Sequence, residues 1–479
     1  MTLTAQLQEA GRAPALPMRI PLSGGGSVTV DQWLRVLPGK RLVARAMQDD
    51  TPVLLKLFIG AGADRHCARE RLGLSALVQQ GVATPKLLAE GEVEGSGRYL
   101  ITEFLSAAQT LQQAWEALPG RQPGQAEAMG LLGKALAVIA ELHSKGLAQT
   151  DLHLGNFLLQ SEQLFVIDGD AVEALSPGRP LTAEQAQQNL AIFFAQLKPE
   201  WDAFTELLLI TYLQHNPLAL NPDKLAASIA CVRRQRQDDY LGKSLRDCTL
   251  FSVQRSWQRF TAVVRSESER MRGLLGDPDS YFGAQPLLKD GGSSTVAKVA
   301  LGDGSVVIKR YNIKGLMHWL KRFWRPSRAW HSWQAAHRLA FLGVATPAPL
   351  AMIERRFGPL RREAWLITEY CAGDHLFSVL GESGEMEPDE TTGPALLKVF
   401  QQLVAARISH GDCKATNLLW LDGEVLLIDL DAMQQHQSPS QWQQAWARDR
   451  ARFIRNWPQG SPLANWLEQH LPVVAAKTD

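Results

Sequence analysis

The sequence predicts an α+β chain of two tandem domains, each with a small β-rich lobe followed by a mainly helical lobe. Three observations lead to this prediction: a length of 479 residues, an ordinary soluble composition, and a set of sequence blocks that occurs twice in the same order. A single hydrophobic core seldom organises more than about 300 residues, so the length favours two domains. With 45% hydrophobic and 21% charged residues, the composition excludes a largely disordered, collagen-like or coiled-coil protein.

Four short blocks recur at nearly constant spacing, which indicates that one domain has been duplicated. GVATP at residues 81–85 returns at 343–347, and LITEF at 100–104 returns as LITEY at 366–370. The other two blocks, TDLHLGNFLL with VIDGD and GDCKATNLLW with LIDLD, repeat at a spacing of 261 residues. Because the order is the same throughout, the sequence predicts two copies of one domain, here named copy one and copy two.

Each copy shows the same succession of predicted elements. A β-rich start alternates apolar and polar residues around turn signals such as Asp303-Gly304, and a helical segment then ends at the GVATP block. Further strands end at the LITE block, a helix with a buried face fills residues 126–142 of copy one, and a loop with Asp and Asn precedes a tight hairpin. We expect the domains to span residues 20–272 and 280–479, joined in the Gly- and Pro-containing segment 273–286.

Charge and cysteine content limit the partners and the cellular compartment that we expect for the chain. Fifty Lys and Arg against 49 Asp and Glu leave a net charge of +1, so no overall field attracts nucleic acid and we expect no such partner. Five cysteines without a C-x-x-C pair argue against a disulfide framework or a structural zinc site. The sequence shows neither a secretory signal nor a membrane-spanning stretch. We therefore expect a cytoplasmic protein, with peripheral attachment to the inner membrane left open.

One spacing of polar residues recurs in both copies and indicates phosphoryl transfer. It is D-x-x-x-x-N with a second Asp twelve positions after the Asn, and it comprises Asp151, Asn156, Asp168 and Asp412, Asn417, Asp429. Transfer from a metal-bound nucleotide needs one carboxylate to orient and deprotonate the acceptor hydroxyl, and an amide oxygen with a second carboxylate to hold Mg²⁺. A strand Lys supplies positive charge to the phosphates, and Lys56 and Lys309 lie where that strand is predicted.

Together these motifs resemble the protein-kinase-like superfamily, and within it the bacterial lipopolysaccharide core kinases of the Kdo/heptose type. In copy two the resemblance rests on KDGGSSTV, VVIKRYN, GVATP, LITEY, ISHGDCKATNLL and LLIDLD, and in copy one on LLKLF, RERLGLSALVQQGVATP, LITEF, TDLHLGNFLL and VIDGD. It covers most of the chain and implies two protein-kinase-like domains. It also implies an ATP- and Mg²⁺-dependent kinase whose acceptor is a sugar hydroxyl of the lipopolysaccharide inner core or another polyanionic glycan.

The resemblance assigns a role to residues in both copies. Asp151 and Asp412 resemble the catalytic base. The metal ligands it implies are Asn156, Asp168, Asn417 and Asp429. The ATP-binding residues it implies are Lys56, Glu70, Glu103 and Leu105 in copy one, and Gly291, Gly292, Ser293, Ser294, Lys309, Glu369, Cys371 and Lys414 in copy two. Residues after the LITE block are expected to read the adenine edge, and the Gly-Gly-Ser-Ser loop to cradle phosphates.

Copy one departs from the family pattern in its phosphate loop and its catalytic loop. It keeps Glu70 as the expected partner of Lys56, but it has only Pro38-Gly39-Lys40 in place of the phosphate loop. Gln149 stands where the catalytic-loop His is expected. These departures suit nucleotide or glycan binding better than rapid transfer.

Copy two keeps the phosphate loop and His410 but has Ser332 where the carboxylate partner of Lys309 is expected. Glu354 is the residue that could substitute for it, and Asp431, like Asp170 in copy one, is interpreted as a cap of the following segment. We expect copy two to be the active copy. Two alternatives stay open: a pseudokinase scaffold or regulator that binds nucleotide or glycan, and a kinase acting on protein or another small molecule.

The segment Lys309–Arg338 contains eight Lys and Arg and four Trp, with no Asp or Glu. Two interpretations have similar weight. In the first, a helix of the small lobe buries the aromatic residues and exposes the basic ones to solvent. In the second, the segment meets an anionic membrane surface or a phosphorylated glycan, with Trp at the boundary.

Overall fold

The computed structural model describes residues 2–23, 25–283, 287–302, 304–312 and 326–474. It divides the chain into two compact units, Met1–Arg233 and Arg234–Asp479. Unit 1 contains copy one and unit 2 contains copy two. Each unit has an antiparallel β-sheet followed by helices, which confirms the predicted α+β fold with a β-rich and a helical part in each copy.

Unit 1 is built on a six-stranded sheet with the order β1-β2-β3-β4-β6-β5, in which all neighbours are antiparallel. Its elements are α1 Leu3–Glu9, β1 Met18–Pro21, β2 Ser27–Leu37, β3 Arg41–Gln48, β4 Thr51–Phe58, α2 Ala63–Gln79, β5 Leu87–Val93, β6 Gly97–Glu103, β7 Gln109–Thr110, α3 Leu111–Ala117, α4 Ala126–Ser144, β8 Leu147–Gln149, β9 Phe157–Gln160, β10 Gln163–Val166, β11 Val172–Ala174, α5 Ala183–Phe194, α6 Thr205–His215 and α7 Pro222–Lys243, in which the division between the units falls.

Unit 2 is built on a seven-stranded antiparallel sheet with the order β12-β13-β17-β18-β16-β15-β14. Its elements are β12 Phe251–Arg255, β13 Arg259–Val264, α8 Arg272–Gly276, β14 Leu287–Gly291, β15 Ser294–Leu301, β16 Gly304–Tyr311, α9 Arg328–Leu342, β17 Pro349–Phe357, β18 Leu360–Glu369, β19 Asp374–His375, α10 Leu376–Val379, α11 Thr392–Ala406, β20 Ile408–Ser409, β21 Leu418–Leu421, β22 Glu424–Leu427, β23 Gln434–Gln435, α12 Pro439–Ile454 and α13 Pro462–His470. None of the helices within the described ranges is long and apolar enough to cross a membrane.

The strand lysines of the two copies occupy matching places in their sheets. Lys56 in β4 stands opposite Leu100 of β6, and Lys309 in β16 stands opposite Leu366 of β18. In both cases the partner is the first residue of the LITE block. Apolar neighbours in β4 and β16 enter the sheet core, so each strand is anchored and each lysine has a defined position.

The division at residues 233 and 234 differs from the expected joint in 273–286. Strands β12 and β13 belong to the sheet of unit 2, because Phe251 and Phe260 share a core with Trp333 and Met352. The segment expected as a joint contains α8, whose Leu274 is buried in the core of the same sheet. The described part of this stretch, residues 273–283, therefore belongs to unit 2.

The helical part of unit 2 is compact. Helices α11, α12 and α13 pack around one apolar cluster with the β21–β22 hairpin. This cluster also buries the large side chains of Trp442, Trp446 and Phe453 in α12 and of Trp457 beyond its end.

His143 joins three helices of unit 1 and gives its stability a pH dependence. Its Nδ1 lies 2.9 Å from Tyr212 Oη in α6, and its Nε2 lies 2.9 Å from Asn189 Oδ1 in α5. Burial lowers the pKa of His143 to about 4, because a desolvated imidazolium is unfavourable. Between pH 6.5 and 4 the unfolded chain therefore binds more protons at His143 than the folded chain, so folding stability falls as the pH is lowered through this window.

We predict that the urea midpoint of unfolding falls from pH 6.5 to pH 4, and that His143→Gln flattens this slope. A single such group contributes up to about 1.4 kcal/mol per pH unit. Circular dichroism at several pH values measures the effect, with exposed His215 changed to Gln as the control. An equally steep slope in His143→Gln would show that this residue does not cause the acid sensitivity.

Candidate active sites

Lys56 and Glu70 form an ion pair in copy one. Lys56 Nζ lies 2.5 Å from Glu70 Oε1 and 3.5 Å from Asp168 Oδ1, and Lys56 and Glu70 are both buried. The Glu70 carboxylate also accepts the backbone N–H groups of Gly169 and Asp170, each at 3.1 Å. Glu70 in α2 thus holds the strand lysine and the loop that carries Asp168 in one arrangement.

Asp168 and Asp429 occupy the same unusual backbone conformation in the two copies. Their φ angles are 66° and 59°, in the left-handed region, which Asp tolerates better than most residues. Burial alone would raise the pKa of Asp168, but the charges of Lys56 and Arg41 outweigh it and hold that pKa below its ordinary value. Arg41 Nη1 lies 3.6 Å from Asp168 Oδ1, so two cations face this carboxylate in copy one.

In copy two, Lys309 has two aspartate partners. Lys309 Nζ lies 2.6 Å from Asp429 Oδ1 and 3.0 Å from Asp431 Oδ2. Ser332, at the position of the missing glutamate, donates a hydrogen bond to Asp431 Oδ1 at 2.7 Å. Sequence reasoning interpreted Asp431 as a cap and missed this contact. The only signal was the second Asp of LIDLD, at a position that is also Asp in copy one.

Glu354 does not substitute for the missing carboxylate, contrary to the expectation from the sequence. It is buried in β17, where its Oε1 lies 2.6 Å from Arg356 Nε and 3.5 Å from Arg361 Nε. The two arginines follow Glu354 on β17 and the neighbouring β18. The charge of Glu354 is therefore paired with arginines of the same sheet and not with Lys309.

The catalytic loops of the two copies present Asp and Asn in the same way. Asn156 Nδ2 donates to the backbone carbonyl of Asp151 at 2.7 Å, and Asn417 Nδ2 donates to that of Asp412 at 2.9 Å. Each Asn ends a short 3₁₀ turn. The carboxylates are accessible: the side chain of Asp151 is 62% exposed and that of Asp412 is 40% exposed.

Different side chains surround the two accessible carboxylates. His153 Nε2 lies 3.7 Å from Asp151 Oδ2 in copy one. In copy two, Lys414 Nζ lies 2.7 Å from Asp412 Oδ2, and Arg452 Nε lies 3.7 Å from Asp412 Oδ1. Copy two therefore places two permanent positive charges beside its candidate base.

Gln149 and His410 perform the same structural task. The Gln149 side-chain amide donates to the Ile167 carbonyl at 2.9 Å, and His410 Nε2 lies 2.9 Å from the Ile428 carbonyl. Both side chains are buried, and both connect the catalytic loop to the residue just before Asp168 or Asp429, here named the metal-loop aspartates. The replacement of His by Gln in copy one thus preserves this connection.

A helix residue holds each catalytic loop from behind, and sequence reasoning did not identify either one. In copy one, Asn189 Nδ2 donates to the Gln149 carbonyl at 2.8 Å. In copy two, the buried Asp449 accepts the backbone N–H of His410 at 2.5 Å and that of Gly411 at 3.0 Å. Burial raises the pKa of Asp449, although these hydrogen bonds act in the opposite direction.

Unit 2 contains a cavity of about 520 Å³ that gathers several predicted site residues. Its apolar walls come from β15, β16, β18 and the β21–β22 hairpin, namely Val296, Val307, Leu366, Leu419 and Ile428. Polar groups converge on it from Ser294, Lys309, Glu369, Cys371, Asn417 and Asp429. A volume of this size is within the range of small-molecule and cofactor sites.

The remaining predicted nucleotide residues are placed as follows. Gly292 and Ser293 form the turn between β14 and β15, and Asn312 Nδ2 donates to the Gly291 carbonyl at 3.1 Å. At the end of each LITE block, the N–H of Glu103 donates to the Lys86 carbonyl and that of Glu369 to the Ala348 carbonyl, both at 2.9 Å. The Glu N–H groups are thus used within the fold. The Leu105 carbonyl accepts the N–H of Ala108 at 3.2 Å.

The residues of the candidate metal site in copy two fit Mg²⁺. Because the amide NH₂ of Asn417 donates to the Asp412 carbonyl, its amide oxygen is directed away from that bond. Asn417 and Asp429 both line the cavity. An amide oxygen and a carboxylate are hard oxygen ligands of the kind that Mg²⁺ prefers, with water and substrate phosphates completing its shell.

The basic segment expected between Lys309 and Arg338 is described only at its ends, because residues 313–325 lie outside the described residues. This includes Lys321, Arg322 and Arg325. At the C-terminal end, α9 buries Trp333, and Arg328 forms an ion pair with Asp431.

Comparisons with known proteins give several similar kinases. The serine/threonine-protein kinase PknG of Mycolicibacterium smegmatis is 30% identical over 133 residues, which are 27% of this chain and 17% of PknG, so the chain spans less than a fifth of that relative. The structure of WaaP in complex with acyl carrier protein is 18% identical with a TM-score of 0.33, covering 44% of this chain and 88% of that one. The PknI kinase domain of Mycobacterium tuberculosis is 16% identical with a TM-score of 0.30, covering 46% and 99%.

One family profile matches both copies. It is described as the lipopolysaccharide kinase (Kdo/WaaP) family, and it matches residues 62–179 and 289–458, which together are more than half of the chain. The first segment contains the D-x-x-x-x-N…D set of copy one, and the second contains that of copy two. The chain therefore belongs to the lipopolysaccharide kinase (Kdo/WaaP) family and carries two protein-kinase-like copies in tandem.

Proposed function

We propose that this protein is an ATP- and Mg²⁺-dependent kinase that phosphorylates a sugar hydroxyl of the lipopolysaccharide inner core, and that copy two performs the transfer. Membership of a kinase family indicates a phosphotransferase that uses ATP. The metal, the acceptor and the choice of copy are inferred from the site. The observation that carries the proposal is the cavity of unit 2, where Lys309, Asn417 and Asp429 line one space of about 520 Å³.

ATP fits this cavity with its base against the apolar walls. Val296 and Val307 from the sheet and Leu419 from the hairpin offer apolar surface to the purine ring. Glu369 and Cys371 also line the cavity, and their backbone groups would form the hydrogen bonds to the edge of the base. Lys309 is then placed toward the phosphates, where its positive charge offsets theirs.

Asp412 orients the acceptor hydroxyl and takes its proton. Its side chain is 40% exposed, so an incoming sugar can reach it, and the Asn417 bond to its carbonyl fixes the loop. Asn417 and Asp429 would hold Mg²⁺, which supplies charge neutralisation at the phosphates. Lys414, 2.7 Å from Asp412, can contact the phosphoryl group as it moves toward the hydroxyl.

An acidic glycan suits the surroundings of Asp412 better than a neutral sugar. Lys414 and Arg452 both lie within 4 Å of this carboxylate, so the site carries more positive than negative charge at the acceptor position. Inner-core sugars with carboxylate or phosphate substituents would find charge-assisted hydrogen bonds there. In copy one, His153 Nε2 lies 3.7 Å from Asp151 Oδ2.

The surroundings of its metal-loop aspartate support a binding role for copy one. Asp168 faces both Lys56 and Arg41, so a metal ion must compete with two cations for this carboxylate. Its ion pair between Lys56 and Glu70 is nevertheless complete. These features favour nucleotide or glycan binding without rapid transfer, which is the scaffold alternative applied to one copy.

We predict that Asp412→Asn lowers phosphate transfer by about 100-fold or more, because a positioned general base contributes at least that much. Asp151→Asn, the matched control at the same position of copy one, should stay near the wild-type rate. The assay follows radiolabelled phosphate from ATP to purified core oligosaccharide, with folding of both variants checked by circular dichroism.

Three outcomes would contradict the proposal in different parts. Loss of activity in Asp151→Asn alone would make copy one the active copy. Full activity in both variants would show that neither aspartate is the base. No transfer by the wild-type protein to this acceptor, with ATP still bound, would favour the scaffold or another acceptor.

A further inference from the structure

Asp431 lies at the junction of three elements in copy two. It follows Asp429 by two residues, and its side chain is only 11% exposed. Oδ2 contacts Lys309 of β16 and Arg328 of α9, whereas Oδ1 accepts hydrogen bonds from Tyr311 and Ser332, each at 2.7 Å. Both oxygens of this carboxylate therefore contact donors from the sheet and from the helix.

Two cations and two hydroxyl groups compensate the burial of the Asp431 carboxylate. A buried carboxylate is stable only where charges and hydrogen bonds compensate its desolvation, and four donors do so here.

The equivalent residue of copy one has a different task. Asp170 lies 3.2 Å from Arg69 Nε and 3.7 Å from Arg41 Nη1, and its N–H is held by Glu70. The carboxylate closest to Lys56 Nζ in the described contacts is that of Glu70, at 2.5 Å. The second Asp of the I-D-x-D motif thus contacts the strand lysine in copy two and other cations in copy one.

We propose that Asp431 is the positioning residue for Lys309 and replaces the helix glutamate that is absent at Ser332. The replacement moves the carboxylate from α9 to the metal loop, while Ser332 and Tyr311 orient it through hydrogen bonds. Asp429 is then free to ligate metal when nucleotide binds, because Lys309 keeps a carboxylate at 3.0 Å. This inference rests on the proposed nucleotide site of copy two.

The test moves the carboxylate back to the helix. Asp431→Asn should weaken binding of a non-hydrolysable ATP analogue and lower kcat, each by about tenfold or more. Adding Ser332→Glu to that variant should restore a substantial part of both, because Ser332 lines the cavity and a longer side chain there has space to reach Lys309. Calorimetric titrations are made on the full chain with Lys56→Met, so that binding reports copy two.

Two controls separate positioning from folding. Asp170→Asn should leave binding at copy two unchanged, and Ser332→Ala, which keeps the carboxylate, should cost less than Asp431→Asn. If Asp431→Asn binds and turns over like its parent, or if a folded Ser332→Glu/Asp431→Asn recovers nothing, the inference is wrong. If the parent itself binds no nucleotide, the proposed function fails and the inference fails with it.

A second observation, independent of the active site, concerns the tips of the hairpins β12–β13 and β17–β18. Trp257 is 65% exposed and Phe357 is 62% exposed, and their ring centroids lie 6.1 Å apart. Backbone hydrogen bonds from Gly358 to Trp257 at 2.9 Å and from Arg356 to Gln258 at 2.7 Å join the two turns. An adjacent pair of exposed aromatic rings is a candidate interaction surface.

Arginines surround this aromatic pair. Residues 254–259 and 355–362, here named the hairpin-tip patch, contain six Arg and no Asp or Glu. Arg255, Arg355 and Arg362 are exposed. Three carboxylates of the described residues contact arginines of the patch: Asp279 lies 3.1 Å from Arg355, Glu363 lies 3.8 Å from Arg362, and Glu354 pairs with Arg356 and Arg361. The patch retains an excess of positive charge.

We infer that the hairpin-tip patch docks on an anionic lipid surface. Trp and Phe at a turn can enter the boundary between headgroups and acyl chains, while the arginines beside them bind headgroup phosphates. The absence of acidic residues from both described segments provides charge complementarity to such a surface.

Vesicle sedimentation tests this inference with phosphatidylcholine vesicles that contain or lack phosphatidylglycerol. Trp257→Ser/Phe357→Ser and Arg255→Gln/Arg362→Gln should each lower binding to anionic vesicles by about tenfold, and the arginine variant should differ less from the parent at high salt. Arg272→Gln/Met386→Ser, at exposed positions elsewhere in unit 2, is the control and should bind like the parent.

Parent-like binding by both patch variants would overturn the inference, as would a parent that binds no anionic vesicles. Loss of binding only on changing Lys321, Arg322 and Arg325 to Gln would assign the membrane contact to the basic segment instead. Capture of a protein partner that the patch variants lose, with vesicle binding intact, would make the patch a protein interface.

Discussion

The contact between a strand lysine and a buried carboxylate is the interaction on which each copy depends. It joins the sheet to the loop that carries the metal-loop aspartate, and without a carboxylate the lysine would be a buried, unpaired charge. Copy one makes the contact through Glu70 and copy two through Asp431. The same physical requirement has thus been met from two different elements of one duplicated fold.

At other places in the two sites, different residues in the two copies make equivalent hydrogen bonds. Gln149 and His410 both reach the carbonyl before the metal-loop aspartate, and Asn189 and Asp449 both hold the catalytic loop. The copies differ beside the accessible carboxylate, where His153 lies in copy one and Lys414 and Arg452 lie in copy two. The copies therefore differ more in the side chains beside the accessible carboxylate than in the hydrogen bonds that hold the catalytic loop.

Repeats and motifs in the sequence predicted the α+β fold, the duplication and the residues that converge on the cavity, because these features depend on local spacing. Asp431 and Asp449 were missed because their roles depend on which elements pack together, and a single aspartate carries no local sign of that. The joint at 273–286 is predicted from Gly and Pro content, which carries no sign of the packing of Phe251 and Phe260 with Trp333. Gln149 was interpreted as a departure from the catalytic-loop His because its residue type differs. Its side chain is nevertheless long enough to keep the bond to the Ile167 carbonyl.

A crystal structure of the chain with Mg²⁺ and a non-hydrolysable ATP analogue in copy two tests the central claim most directly. The distances from Lys309 Nζ to the carboxylates of Asp429 and Asp431 are the measurement. The account predicts that Asp429 turns from Lys309 to the metal, while Asp431 stays within about 4 Å of Lys309. A Lys309 that leaves Asp431 and pairs with another carboxylate, or an Asp431 that itself ligates the metal, would contradict it.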